Sequence, residues 1–367
     1  MKVHIVCYED VNKWILGKFA LKMHENLQKM GIESDISKKA DPSADINHHI
    51  IYYDFDGVKS SIDTLMITHV DNINKLNHLK SQLAIAEVGI CMSKETQLYL
   101  AKMGVDKNKL CYVNPAHDGV IPIKKTVVGL TSRVQEDGRK REFFLGKLAE
   151  RLKPSYFKFR IMGDGWEPQV RNLQKYGFEV DYFDHFDYDE YVTLIPTLDY
   201  YLYMGMDEGQ MGFIDALAAG VKTIVTAQGY HLDAHGGITH PYTTYDELES
   251  IFLSIQREKE TLIDSVATWN WFDYTKKHVE IWGYLIDKRK RQSNFPDGLN
   301  SLLDFIDRNM DCDNSFINNK TKSLERNLLL QKYYQKRRAV IHVCKSKGLF
   351  GLLQWLKEKV VTNNKNA

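Results

Sequence analysis

Strand-length apolar runs alternate with helical segments over roughly the first 230 residues, and nothing else in the chain restricts its fold as tightly. KVHIVCY (2–8) reads as a buried strand. In the segment that follows, WILGKFALKMHENLQKMG (14–31), Ile15, Phe19, Met23 and Leu27 recur at helical spacing and Gly31 marks the stop. HHIIYYD, TLMITHVD, AEVGICMS and KLCYVNP continue the strands, with NINKLNHLKSQLAIA and KETQLYLAKMG as helices between them. Strands that alternate with helices predict a parallel sheet covered on both faces. NPAHDGVIPIKK (114–125), with two prolines and a glycine, breaks the rhythm and reads as a linker. A second series follows: TVVGLTSR, YFKFRIMGDG, EVDYFDHF, LDYYLYM and VKTIVTA as strands, with helices over 141–152, 167–176, 188–195 and 212–219. From about Tyr245 the chain turns helical, and 293–319 is polar and irregular.

Length and composition agree with two domains. The chain has 367 residues, 43% apolar and 26% charged, which suits a globular protein with sizeable cores. Its net charge of +1 gives no reason to expect a nucleic-acid partner. The total hides an asymmetry: residues 320–367 carry +10, so the rest carries −9. Cys7, Cys91, Cys111, Cys312 and Cys344 form no CxxC pair, which reads as reduced thiols in a cytosol rather than a disulfide framework or a zinc site. The N-terminus reads as a first strand and not a signal peptide, and no run reaches the roughly 20 apolar residues of a membrane span.

In open α/β sheets ligands lie beyond the carboxyl ends of the strands. Three loops of the second series stand there. SRVQEDGRKRE offers Arg133, Arg139, Lys140 and Arg141, which suit a phosphate or diphosphate, or else simply form a solvated charged loop. MGDGWEP brings Gly163, Asp164 and Gly165 to a turn where backbone can approach a ligand, or where a strand merely turns into a helix. The third is DEGQMGFIDALAAGVKTIV (207–225). Its helix start, at Met211, Gly212 and Phe213, offers N–H groups to an anion, and Gly209 permits close approach. Asp207, Glu208 and Asp215 are carboxylates able to accept sugar hydroxyls; the alternative is that Asp207 and Glu208 only cap the helix.

This third stretch resembles the glutamate–seven–glutamate region of retaining family-4 glycosyltransferases of the GT-B fold. Asp215 to Gly220 matches its second half, with Asp215 where that family has glutamate. In the first half Asp207 has the spacing and Glu208-Gly209 the local context. SRVQEDGRKRE resembles the family's diphosphate loop, MGDG its GDG turn, EVDYFDHFDYDEYV (with Phe183) the segment against the nucleobase, and THVD the strand end with an active-site histidine, here His69. WNWFDYTKKHVEIW resembles the helix that crosses back to the first domain. The glycine-rich loop usual after the first strand is missing.

The resemblance implies two Rossmann-like domains facing across a cleft. The first, an acceptor domain, would span 1–122 and the second, a donor domain, 123–270; a returning helix at 271–292 and a basic helical extension at 293–367 would follow. It also implies retaining, metal-independent transfer from a nucleotide diphosphate sugar, without cofactor, to a glycan or lipid-linked acceptor in cell-surface polysaccharide or glycoconjugate synthesis. His69, Arg133, Lys140 and Glu208 would serve catalysis. Arg139, Gly163, Asp164, Phe183, Asp207, Gly209, Met211, Gly212, Phe213 and Asp215 would hold the donor. The basic tail 320–367, with its Leu, Phe and Trp residues, suits an anionic membrane surface, which places the protein in the cytoplasm or at the inner face of the membrane. Two alternatives stay open: a nucleotide-sugar 2-epimerase of the same architecture, and a degenerate transferase serving as an assembly subunit.

Overall fold

The computed structural model describes residues 1–291 and scattered positions between 333 and 348. The chain divides into two compact units: Gly119–Ala267, and Met1–Asp118 together with the chain from Thr268 onward. Each contains the parallel sheet that the alternation predicts.

The first unit has six strands, β1 (Lys2–Val6), β2 (Glu33–Ser37), β3 (Ile46–His49), β4 (Ile62–Ile67), β5 (Val88–Cys91) and β6 (Leu110–Tyr112), in the order β2-β1-β3-β4-β5-β6. All pair in parallel. The helices α1 (Ile15–Lys29), α2 (Ile73–Ile85) and α3 (Lys94–Lys102) connect them. The apolar runs read as strands because burial on both faces removes the solvent-facing polar alternation; all of β3, β4 and β5 is buried, with Asn47, His48, His49, Asp63 and Thr64 as buried polar exceptions in β3 and β4. β2 lacks such a run: ESDIS lies at the sheet edge with alternating exposure. A distant segment completes this unit's core. Trp271, Tyr274, Ile281 and Trp282 of α9 (Trp271–Arg291) pack with Val3, Ile5, Phe19 and Met23.

The second unit has β7 (Thr126–Thr131), β8 (Phe157–Met162), β9 (Glu179–Phe183), β10 (Tyr200–Tyr203), β11 (Lys222–Thr226) and β12 (His240–Tyr242). Their order is β12-β11-β10-β7-β8-β9, all parallel. The first three strands run one way from β7 and the last three the other, so the strand order reverses between β7 and β10. Helices α4 (Phe143–Arg151), α5 (Glu167–Lys175), α6 (Tyr188–Leu194) and α7 (Met211–Ala218) lie within about two residues of their sequence expectations. α8 (Tyr245–Asp264) starts on a capping box: Thr244 accepts from the Glu247 N–H while the Glu247 carboxylate accepts from the Thr244 N–H.

Among the described residues no helix is long and apolar enough to cross a membrane. The basic helix expected at 320–367, and the membrane role assigned to it, lie outside the described residues apart from scattered positions.

Candidate functional site

The reversal of strand order puts a crevice at the carboxyl ends of β7 and β10, where ligands of open α/β sheets bind. The loops after β7, β8 and β10 meet there. The Val134 N–H donates to the Asp164 carbonyl (2.9 Å), and the Gly163 N–H to that of Phe183 (2.9 Å). Trp166, fully buried, donates its indole N–H to the Ser132 carbonyl. Gly163 is indispensable to this contact. It has φ +135°, and a Cβ there would lie 2.3 Å from the Ser132 carbonyl oxygen. Gly163→Ala should therefore cost about 2 kcal/mol of stability, from backbone strain plus the clash; denaturant unfolding checks it, and an unchanged midpoint would refute it.

The helix after β10 begins against the sheet itself. Gly212 rests on the hydrogen-bonded pair Thr131 Oγ1–Tyr201 Oη (2.8 Å), and a Cβ would stand 2.3 Å from either oxygen. Gln210, not Asp207 or Glu208, precedes the first turn of α7, and no side chain caps it. The capping alternative therefore does not hold for either acid. Gln210 is itself held twice: its side chain donates to the Thr131 carbonyl (2.7 Å) and its N–H to His231 Nε2 (2.9 Å). His231 Nδ1 lies 3.0 Å from the Thr226 carbonyl, so that nitrogen carries the proton and Nε2 is the acceptor. Burial lowers this imidazole's pKa from its ordinary value, which keeps it neutral. Phe213 stacks on it (ring centroids 4.2 Å apart). The Phe213 N–H turns back to the Gln210 carbonyl (2.9 Å), while those of Met211 and Gly212 keep no helix partner.

The cations gather beside this helix start. Lys140 is only 8% exposed, and its Nζ donates to Tyr203 Oη (2.7 Å) and Asp207 Oδ2 (2.8 Å). Tyr203 donates onward to Asp207 Oδ1, which also accepts from the Gly209 N–H (3.3 Å). Burial opposes ionisation of Asp207, but the Lys140 and Tyr203 hydrogen bonds outweigh it and hold the carboxyl below its usual range. Arg139 is exposed, with Nε 4.0 Å from Asp207 and its carbonyl accepting from the Met206 N–H (2.8 Å). Arg133 is exposed with no side-chain partner among the described residues. Arg141, named with them from sequence, turns away. It has φ +49°, the sole positive φ of a non-glycine described residue. Its guanidinium ties the Met204 (2.5 Å) and Thr243 (2.7 Å) carbonyls.

Glu208 and Asp164 are exposed; Phe183 is half-buried. Asp215, exposed on α7, accepts from the Tyr191 hydroxyl, and Phe186 packs on Tyr191 (centroids 5.3 Å). His69 belongs to the first unit. It is exposed two residues beyond β4, and its carbonyl accepts from Tyr52 Oη (3.0 Å). The site thus brings together Arg139, Lys140, Asp207, Gly209, Met211, Gly212 and Phe213. Sequence reasoning missed Tyr203, His231, Gln210 and Tyr191, which look like ordinary strand, loop and helix residues until the fold pairs them.

A cavity of about 420 Å³ opens at the opposite, amino edge of the same sheet, beside Thr126, Tyr200 and Lys222. Its Lys124 pairs with Asp199 (3.4 Å), and Lys259 donates to the Lys124 carbonyl. Ligands of open α/β sheets bind beyond the carboxyl ends of the strands, where the start of α7 also lies, so we place the site at the carboxyl edge.

No family model matches the chain, and no curated protein matches it. Solved structures resemble it at low scores. HepE from Anabaena, solved with UDP and glucose, is 11% identical with a TM-score of 0.32, over 77% of this chain and 100% of that one. WaaB, a lipopolysaccharide outer core galactosyltransferase, is 13% identical with a TM-score of 0.31, over 75% and 97%. Sucrose-phosphate synthase from Thermosynechococcus elongatus is 11% identical with a TM-score of 0.33, over 78% and 98%. At such scores the chain's own residues must carry any functional reading.

Proposed function

We propose that this chain is a glycosyltransferase that moves a sugar from a nucleotide diphosphate sugar to a glycan or lipid-linked acceptor, with retention and without a metal. The observation that carries the reading is the uncapped α7 start lying in one crevice with Lys140 and Arg139. A diphosphate leaving group develops negative charge as the glycosidic bond breaks. Fixed N–H dipoles and a desolvated ammonium answer that charge without reorganising, and such preorganised electrostatics supply most of the rate gain in many enzymes. Lys140 has three N–H donors and the protein engages two, which leaves one for a phosphate oxygen. Asp215, about one helical turn beyond the anion site, would take ribose hydroxyls, and Phe183 would pack on the nucleobase, with Asp164 in the neighbouring donor-side turn. Among the described residues the one grouping with metal-ligand spacing is His4 on β1, Asp35 on β2 and Asp41 in the loop after β2, where Lys2 already pairs with Asp41 (2.7 Å).

The test is a thermal-shift screen of nucleotide diphosphate sugars, followed by turnover with and without lipid extract. Acceptor-dependent release of nucleoside diphosphate is expected. Isomerisation or release without acceptor would replace the reading with the 2-epimerase, and no binding at all would remove both. Asp215→Ala should weaken nucleoside diphosphate binding about tenfold, the value of a charged hydrogen bond, with the fold kept. Calorimetry showing unchanged affinity would rule out the ribose role.

A further inference from the structure

We propose that Asp207 is a positioning residue that anchors Lys140, and that its neighbour Glu208 is the acid that meets the transferred sugar. This rests on the donor-site reading above. The ground is a count of lone pairs. A carboxylate offers about four acceptor sites. Asp207 Oδ1 takes the Tyr203 hydroxyl and the Gly209 N–H, and Oδ2 takes Lys140, with Arg139 Nε at 4.0 Å. Tyr203 closes a ring, since it accepts from Lys140 while donating to Asp207. Three of the four acceptor sites of Asp207 are thereby taken by the protein, the fourth faces the Arg139 guanidinium, and the third N–H of Lys140 stays open to a ligand. An acid so committed has little left for sugar hydroxyls. Its work is to fix a buried ammonium at the mouth of the anion site, which would otherwise lose rotamer order.

Glu208 has the opposite character. It is exposed, and its carboxylate has no partner among the described residues. Its backbone is nevertheless held, because its carbonyl accepts from the Tyr230 N–H (3.2 Å). A free carboxylate on a fixed backbone, one residue from the anchor, is placed to accept hydroxyl donors.

The experiment compares Asp207→Asn, Glu208→Gln and Tyr203→Phe with the wild type in the full chain. Calorimetry gives the affinities of UDP, GDP and ADP, and of UDP-glucose, GDP-mannose and ADP-glucose. Separately, acetic anhydride labelling of Lys140 is followed by mass spectrometry in unliganded protein. Glu208→Gln should cut the preference for the sugar ester over its diphosphate about tenfold. Asp207→Asn should shift both ligands of a pair by one common factor, leaving that preference intact, and should raise Lys140 labelling severalfold. Tyr203→Phe should raise labelling too, which keeps the anchor testable if Asp207→Asn does not fold. A preference lost in Asp207→Asn and kept in Glu208→Gln would overturn the proposal, as would Lys140 labelling unchanged in both anchor variants. Wild-type protein that binds none of the six ligands overturns the donor-site reading and the role of Glu208 with it, while the labelling still decides the anchor.

Discussion

Lys140→Met is expected to lower glycosyl transfer about 100- to 1,000-fold while the protein stays folded, the loss typical when one preorganised donor to a developing oxyanion is removed. Two features make this lysine matter more than its neighbours. It is 8% exposed, so its charge is little screened by water, whereas Arg139 and Arg133 are exposed. It is also held by Tyr203 and Asp207 before any ligand arrives. The variant loses an attractive charge and leaves the Asp207 carboxylate facing the phosphates with only the exposed Arg139 guanidinium as counter-ion. Adding Asp207→Asn to Lys140→Met should therefore recover part of the lost binding, a coupling expected of residues in direct contact. Arg139→Met, by contrast, should cost about tenfold or less, as exposed charges usually do. Steady-state rates of nucleoside diphosphate release are the measurement. A Lys140→Met enzyme within about threefold of wild type would show that the helix start alone stabilises the leaving group.

The sequence made the sheets legible and left their contacts hidden, for a physical reason. A strand buried on both faces tends to an apolar run, so TLMI and VGIC are visible in one dimension, whereas β3, INHH, buries three polar residues and is not. ESDIS is not, because an edge strand with alternating exposure resembles a polar turn. HPY of β12 is too short, and its proline argues against a strand. At the site, loops stand out by their glycines, acids and arginines. What those side chains touch depends on register between distant strands. Lys140 and Tyr203 are 63 residues apart, and the pairing of β7 with β10 brings them together. The same is true of His231, 21 residues from the Gln210 N–H it accepts. A charged loop and a tyrosine-rich strand could each be read, but that Tyr203 accepts a hydrogen bond from Lys140 could not. The surplus acids at the entrance of α7 are a case in point: capping stood as the alternative to a ligand role, and the helix starts without a side-chain cap.

Acid should destabilise the first unit well above the pH at which its carboxylates protonate. His48 on β3 and His278 on α9 are fully buried, with ring centroids 5.1 Å apart. His278 Nδ1 donates to the Tyr274 carbonyl (2.9 Å), so its Nε2 is a bare lone pair, buried and unpartnered. Trp282 Nε1 donates to Thr64 Oγ1 (3.2 Å), and the Thr64 hydroxyl is left to donate to His48 Nδ1 (2.9 Å). A proton added to His278 Nε2 would find no acceptor among the described residues, and one added to His48 Nδ1 would displace the Thr64 hydroxyl's donation; either charge would face the other ring. Burial pulls His278 down to about 4, and burial, then His278 and His49, pull His48 well below its ordinary value. With folded pKa values depressed below the unfolded 6.5, the unfolded chain binds more protons as pH falls. The stabilisation is therefore complete above about pH 6.5 and is lost progressively below it. For His278 alone, the span from 6.5 to about 4 amounts to about 3 kcal/mol once pH reaches 4, a large share of a typical domain's stability. Asp63, held below its usual range by His49 and Ser60 hydrogen bonds against the opposing effect of burial, adds a further loss only near pH 4 and lower. Urea unfolding from pH 8 to 4.5, followed through tryptophan fluorescence, should show a midpoint steady down to about 6.5 and falling below it. His278→Phe, which fills the site without a titratable group, should flatten that fall. A midpoint level from pH 7.5 to 5, or an equal fall in His278→Phe, would mean that the buried imidazoles do not set this unit's acid limit.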